Sequence, residues 1–170
     1  MIPNVNKENG FTLIELIVVI VLISIFLTFA VPHFRTDLFI DNTGKTCRWI
    51  TAQINTLRQN AISNQKTCTL HLGIDSRRFW VTDESMSEEA VEELEQKGYS
   101  IPADVKLLDV AYPDSEKIET GTAAINFYKK GYSDKALIHL EDADNNLISL
   151  LVEPFLDNVK IYKSYAGFED

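Results

Sequence analysis

From Phe11 to Val31 the chain is apolar apart from scattered hydroxyls, and one charge interrupts it, Glu15. A helix that is apolar on every side has to be buried in lipid or among other helices, so this segment cannot lie as an ordinary surface helix. It is also long enough to cross a hydrocarbon core, which takes about 20 apolar residues. A carboxylate there is expensive, about 2.5–3.5 kcal/mol at the centre of a membrane helix and less near the interface. So costly a residue calls for a function and a partner. A cut between Gly10 and Phe11 would supply one, because the new α-amine lies one helical turn before Glu15.

The block Gly10-Phe11-Thr12-Leu13-Ile14-Glu15-Leu16, followed by its apolar helix, resembles the class III leader of type IV pilins and type II secretion pseudopilins. Pro32 falls where many pilins carry a helix-kinking proline. The resemblance implies removal of residues 1–10 by a prepilin peptidase/methyltransferase and N-methylation of Phe11. It also implies assembly with other pilin-like subunits through the N-terminal helix, at an inner-membrane assembly platform. Glu15 would pair with the terminal amine of a neighbouring subunit and set axial register. Two plainer readings fit less well. A secretory signal has an apolar region of about 7–15 residues before a small-residue cleavage site. This run is longer and ends in Ala30-Val31-Pro32-His33-Phe34. A simple membrane anchor accounts for the length but leaves Glu15 without a purpose.

The net charge of −9 argues against nucleic-acid binding, which needs a basic face. Lys7 is the only basic residue ahead of the apolar run and favours a cytoplasmic leader. The expected location is therefore the inner membrane, single-pass, with a periplasmic globular part that later enters a pseudopilus or pilus. An oxidising compartment raises the possibility of a disulfide between Cys47 and Cys68. A helix from Cys47 to Asn64 would rise roughly 25 Å, and four further residues return at most about 14 Å, so the bridge is not expected.

Farther along, Cys47, Ile50, Ile54, Leu57 and Ala61 recur at helical spacing, with Arg48, Gln53, Asn55, Arg58 and Gln59 on other faces. The helix should thus continue over residues 32–64 as an amphipathic segment, bent at Pro32 and weak at Asp41-Asn42-Thr43-Gly44. After Asn64 the period becomes two. Thr67–Leu72 and Phe79–Thr82 form a hairpin, and Ser87 caps a short acidic helix that stops at Gly98. Strands follow at Val105–Ala111, Ala123–Tyr128, Ala136–Glu141, Leu147–Glu153 and Val159–Tyr162. The fold class is α+β: a long N-terminal helix, transmembrane in its first half, packed on an antiparallel β-sheet domain. The divisions are leader 1–10, membrane or filament-core helix 11–31, helix continuation 32–64 and globular domain 65–170.

The order of elements after the helix, with Leu57-Arg58-Gln59-Asn60-Ala61 before the first strand and Ile125-Asn126-Phe127 leading into Gly131-Tyr132-Ser133, looks like the minor pseudopilins of the GspH/FimT family. That resemblance implies a structural subunit of a type II secretion pseudopilus. A minor pilin of a type IV pilus, active in assembly initiation, motility or DNA uptake, is the alternative, and a membrane-tethered enzyme is a distant third. No catalytic residue, metal or cofactor is expected. His33, His71 and His139 are scattered and have no ligand spacing. Asp142, Asp144 and Asn146 could offer oxygens to calcium, but the Gly and distal Glu of a calcium loop are missing, and an Asx turn explains the same residues.

Overall fold

The computed structural model describes residues 13–38, 42–113 and 115–169, the side chains of 26–38 excepted. The leader, with Gly10 and Phe11, lies outside the described residues, as do Asp41 and the side chains of Pro32 and His33. The chain divides into two compact units, Met1–Asp41 and Asn42–Asp170. The first contains helix α1 (Leu13–Leu38), whose backbone is helical through Pro32.

The second unit begins with α2 (Asn42–Asn64), so Asn42, Thr43 and Gly44 are helical rather than a break. The Asn42 amide donates to the Asp104 carboxylate at 2.9 and 3.1 Å, tying this end of α2 to the domain. The stripe Cys47, Ile50, Ile54, Leu57 and Ala61 is buried, as its spacing requires. Arg58, expected on a wet face, is buried with it, and this corrects the sequence reading. It stands four residues after Ile54, so helical geometry places it on the apolar stripe despite its charge.

Two four-stranded antiparallel sheets pack with α2 and make up the antiparallel β-sheet domain that was expected. The first sheet runs β3 (Tyr99–Ser100), β2 (Arg78–Asp83), β1 (Cys68–Gly73), β5 (Thr122–Phe127). The second runs β4 (Lys106–Ala111), β6 (Ala136–Glu141), β7 (Leu147–Val152), β8 (Lys160–Tyr162). Alternation sends Leu70, Leu72, Phe79, Ile125 and Phe127 of the first sheet into one core with Ile138, Leu140, Leu150 and Val152 of the second. The opposite faces are covered locally. Helix α3 (Glu88–Lys97), capped by Ser87, lies on β2, and its end is so close that a Cβ on Gly98 would stand 2.6 Å from the Phe79 carbonyl oxygen.

On the second sheet the C-terminal segment plays that part. A bulge between Leu107 and Asp109 re-aims β4, so Asp109 pairs across from His139 while Leu107 and Val110 stay in the core. Asp109 Oδ1 lies 2.7 Å from His139 Nδ1, and His139 Nε2 lies 3.0 Å from the Ala166 carbonyl. A carbonyl only accepts, so Nε2 is the donor to Ala166, and Nδ1 faces the Asp109 carboxyl. The Tyr165 hydroxyl donates to Asp109 Oδ2 at 3.0 Å, and Ser149 Oγ accepts from the Ala166 amide at 2.9 Å. These bonds fasten residues 164–166 across β4, β6 and β7.

Candidate functional site

The block expected to be processed is described from Leu13 onward. Glu15 sits in the first turn of α1, where a carboxylate is favoured by the partial positive charge of a helix N-terminus. Every large apolar side chain from Leu13 to Ile25 is exposed, from 44% at Val19 to 79% at Leu13. They project in all directions around the helix rather than along one stripe. Burying a Val, Leu or Ile side chain is worth roughly 1.5–3 kcal/mol each, so the sum over this helix is a large drive toward lipid or neighbouring helices. Among the described residues, no helix is long and apolar enough to cross a membrane. The expected span begins at Phe11, outside them.

The other end of α2 carries a site the sequence reading missed. Arg58 has 6% of its side chain exposed, and its guanidinium donates to the carbonyls of Glu153 at 3.0 Å and Leu156 at 2.5 Å and to Ser133 Oγ at 3.2 Å. Burial lowers its pKa, while Asp157 raises it. Asp157 is 92% exposed and 3.9 Å away, so it adds little to binding. The fork therefore holds the backbone of the loop after β7 at two carbonyls. Phe155, between them, projects outward with 80% exposure. Tyr132 lies beside it at 6.2 Å between ring centroids and stacks on Tyr128 at 4.6 Å. The turn Lys129-Lys130-Gly131 seats on α2: Gly131 has φ +89, and a Cβ there would lie 3.5 Å from Ile62 Cδ1. Ile62, Tyr132, Phe155 and Leu156 thus make an exposed apolar patch beside two exposed lysines. The signal for Arg58 was its place on the stripe; for Phe155 there was none, since exposure of a loop aromatic depends on the fold.

Between α3 and β2 lies a cleft of about 700 Å3 lined by Ser76, Arg78, Glu92, Glu95 and Gln96. Arg78 donates to the Gln96 carbonyl across it. Among the described residues, Glu92 and Glu95 form no ion pair, and neither do Lys129 and Lys130. On the same face of the first sheet as Arg78, His71 shares a hydrogen bond with Thr82 Oγ1 at 2.8 Å and stacks on Trp80 at 5.1 Å, and burial lowers its pKa against an opposing pull from Glu95.

The remaining candidates are engaged elsewhere. His139 and Asp109 bond each other and hold the C-terminal segment through the Ala166 carbonyl and the Tyr165 hydroxyl, with Lys117 Nζ 4.0 Å from Asp109 Oδ2. Asp142 accepts from the amides of Asp144 and Asn146 at 2.8 and 2.9 Å and from the Asn146 side chain at 2.9 Å, with Asn145 at φ 60. Its oxygens face an Asx-type turn, and those bonds lower its pKa although desolvation, the largest single influence, opposes them. Cys47 and Cys68 are both buried and not bridged to each other; α2 carries the chain from Cys47 to Asn64 before it turns back.

Residues 5–31 match the prokaryotic N-terminal methylation motif. No curated protein sequence matches the chain. The fold is similar to that of the minor pseudopilin EpsH from the type 2 secretion system of Vibrio cholerae, with 7% identity and a TM-score of 0.56 over 75% of this chain and 99% of that one. A crystal structure of EpsH from the same organism gives 8% identity and a TM-score of 0.52, covering 75% and 97%. An N-terminal methylation motif is thus joined to an α+β, pilin-like fold.

Proposed function

We propose that the chain is a structural minor pseudopilin of a type II secretion system, made as a precursor and assembled into the periplasmic pseudopilus. The observation that carries this is the pairing of the methylation motif with a helix whose apolar side chains are exposed on every side. In this reading residues 1–10 stay cytoplasmic and Phe11–Val31 spans the inner membrane. A prepilin peptidase cuts after Gly10 and methylates the amine of Phe11. The helix then leaves the bilayer for a bundle of like helices. There a buried Glu15 carboxylate is costly unless paired, and the nearest cation of suitable height is a terminal amine of another subunit. One polar pair in an apolar seam also selects register, as a single buried Asn does in a coiled coil. Pro32 would kink the helix where it leaves the bundle. The role is structural, with no catalytic step of its own.

The test separates processing from assembly. Mass spectrometry of the mature chain should find methylated Phe11 as its first residue, and a bulky substitution such as Gly10→Trp should leave the leader attached. Glu15→Ala should insert and be cleaved normally but recover less than about a tenth of wild-type assembly, a loss of roughly 1.4 kcal/mol or more per subunit contact. A functional chain that still begins at Met1 overturns the proposal, and normal assembly of Glu15→Ala overturns the register role.

A further inference from the structure

We infer that the outer face of the second sheet is a peptide-binding groove, filled in this structure by the chain's own C-terminal tail and open to an extended partner segment of the same pattern. The floor is one row across three strands. Asp109 of β4 pairs with His139 of β6, and His139 with Ser149 of β7, on the face opposite Ile138 and Leu150. All three are almost fully buried, and the tail uses each of them. Ser149 Oγ donates to the Ser164 carbonyl at 2.6 Å and accepts from the Ala166 amide, His139 Nε2 donates to the Ala166 carbonyl, and Asp109 takes the Tyr165 hydroxyl. All but the last are contacts to main chain, so they serve any extended segment that follows this path, while the side-chain sites choose among segments.

The tail's side chains show what is chosen. The Tyr165 ring stacks on His139 at 3.9 Å between centroids, with Lys117 Nζ 5.8 Å from its centre. Ala166 is 2% exposed, which leaves room for a small residue only. Lys135 Nζ stands 5.3 Å from the centre of the Phe168 ring. A cation over an aromatic face adds to such contacts. The ligand class is therefore an extended peptide with a tyrosine, a small residue directly after it and an aromatic two residues farther on.

The tail is fastened in a way that lets it lift. The main core runs from Cys47 to Val152, and the half-buried side chains packed against it end at Val159, so the tail contributes to neither. Of residues 163–169, Ala166 alone is buried. Beneath the tail lies a row of polar groups that water can satisfy once it leaves, so each bond it makes is worth little net. A permanent seal gains nothing from a buried acid and imidazole, because apolar residues of similar volume serve as well or better. Tethered to its own groove, the tail competes at an effective concentration on the order of 1 mM. It therefore excludes weak ligands and yields to stronger ones. This site goes beyond the assembly role proposed above and uses none of the processing block.

The experiment uses the full-length chain in detergent, its groove opened in two ways. One variant stops after Lys163. The other carries Ala166→Trp, whose indole cannot enter the buried alanine site. The probe is a dye-labelled synthetic peptide of residues 163–169, followed by fluorescence anisotropy. Both opened chains should bind it with a Kd on the order of 0.1 mM, and the unaltered chain about tenfold more weakly because its own tail competes. Peptides carrying Tyr165→Ala or Ala166→Trp should bind the opened chains about tenfold more weakly or worse, and Ser149→Ala in the shortened chain should weaken binding about fivefold. No binding to either opened chain at about 1 mM peptide, equal binding of the Ala166→Trp peptide, or equal binding by opened and unaltered chains would each overturn the inference. Loss of the cooperative melting transition in both opened chains would overturn it too, because the tail would then be part of the fold and not a removable plug.

Discussion

At the level of single residues, burial decides what a charge does. Arg58 is one buried guanidinium serving three acceptors. Arg58→Met should therefore cost about 3–5 kcal/mol, because the Glu153 and Leu156 carbonyls and Ser133 lose their donor together. Urea unfolding followed by tryptophan fluorescence would measure it. Arg58→Lys should rescue little, since an ammonium cannot present the same fork. His71 makes a prediction in pH. Its folded pKa lies below the usual 6.5, so the unfolded chain binds the proton more readily as the solution is acidified. Unfolding free energy then rises with pH through the window below 6.5 and is flat above it. The melting temperature should fall from pH 7 to pH 5.5, and His71→Gln should fall less over the same interval.

At the level of elements, each sheet has one face in the common core and another covered by a neighbour in sequence. Helix α3 reaches β2 only because Gly98 has no Cβ to meet the Phe79 carbonyl, 2.6 Å from where one would be. Gly98→Ala must displace backbone, and a loss of about 1–3 kcal/mol is expected by chemical denaturation. Most elements were legible beforehand. Ala136–Glu141 is found at its expected ends, and the hairpin of β1 and β2 and the Ser87-capped helix appear within a residue or so of expectation. Alternation and capping act locally, so they survive in a single sequence. The short β3 was not visible, because a two-residue strand has no period and exists only through its pairing with Arg78 and Phe79. Nor was the bulge at Leu107–Asp109, which decides that Asp109 meets His139.

For the molecule as a whole, the main core lies entirely within 42–152, from Cys47 to Val152. A fragment from Asn42 to Asp170 should accordingly fold alone, with one cooperative calorimetric transition whose van't Hoff and calorimetric enthalpies agree. Noncoincident spectroscopic transitions would show that the N-terminal unit is needed for folding. The full chain without detergent should instead form large particles by light scattering, because α1 exposes apolar side chains around its whole circumference.

The N-terminal block needed no fold to be read. A run of hydrocarbon with one acid behind a glycine is a property of consecutive residues, and the expectation of an apolar environment and of cleavage after Gly10 rests on that order alone. The division into two sheets, the burial of Arg58, the Asp109–His139–Ala166 clasp and the outward stance of Phe155 all depend on contacts between residues far apart in the chain. Arg58 and Leu156 are separated by 98 positions, and only packing brings that guanidinium to that carbonyl. Local periodicity carries no information about such pairs, because it records which way a side chain faces and not what it will meet.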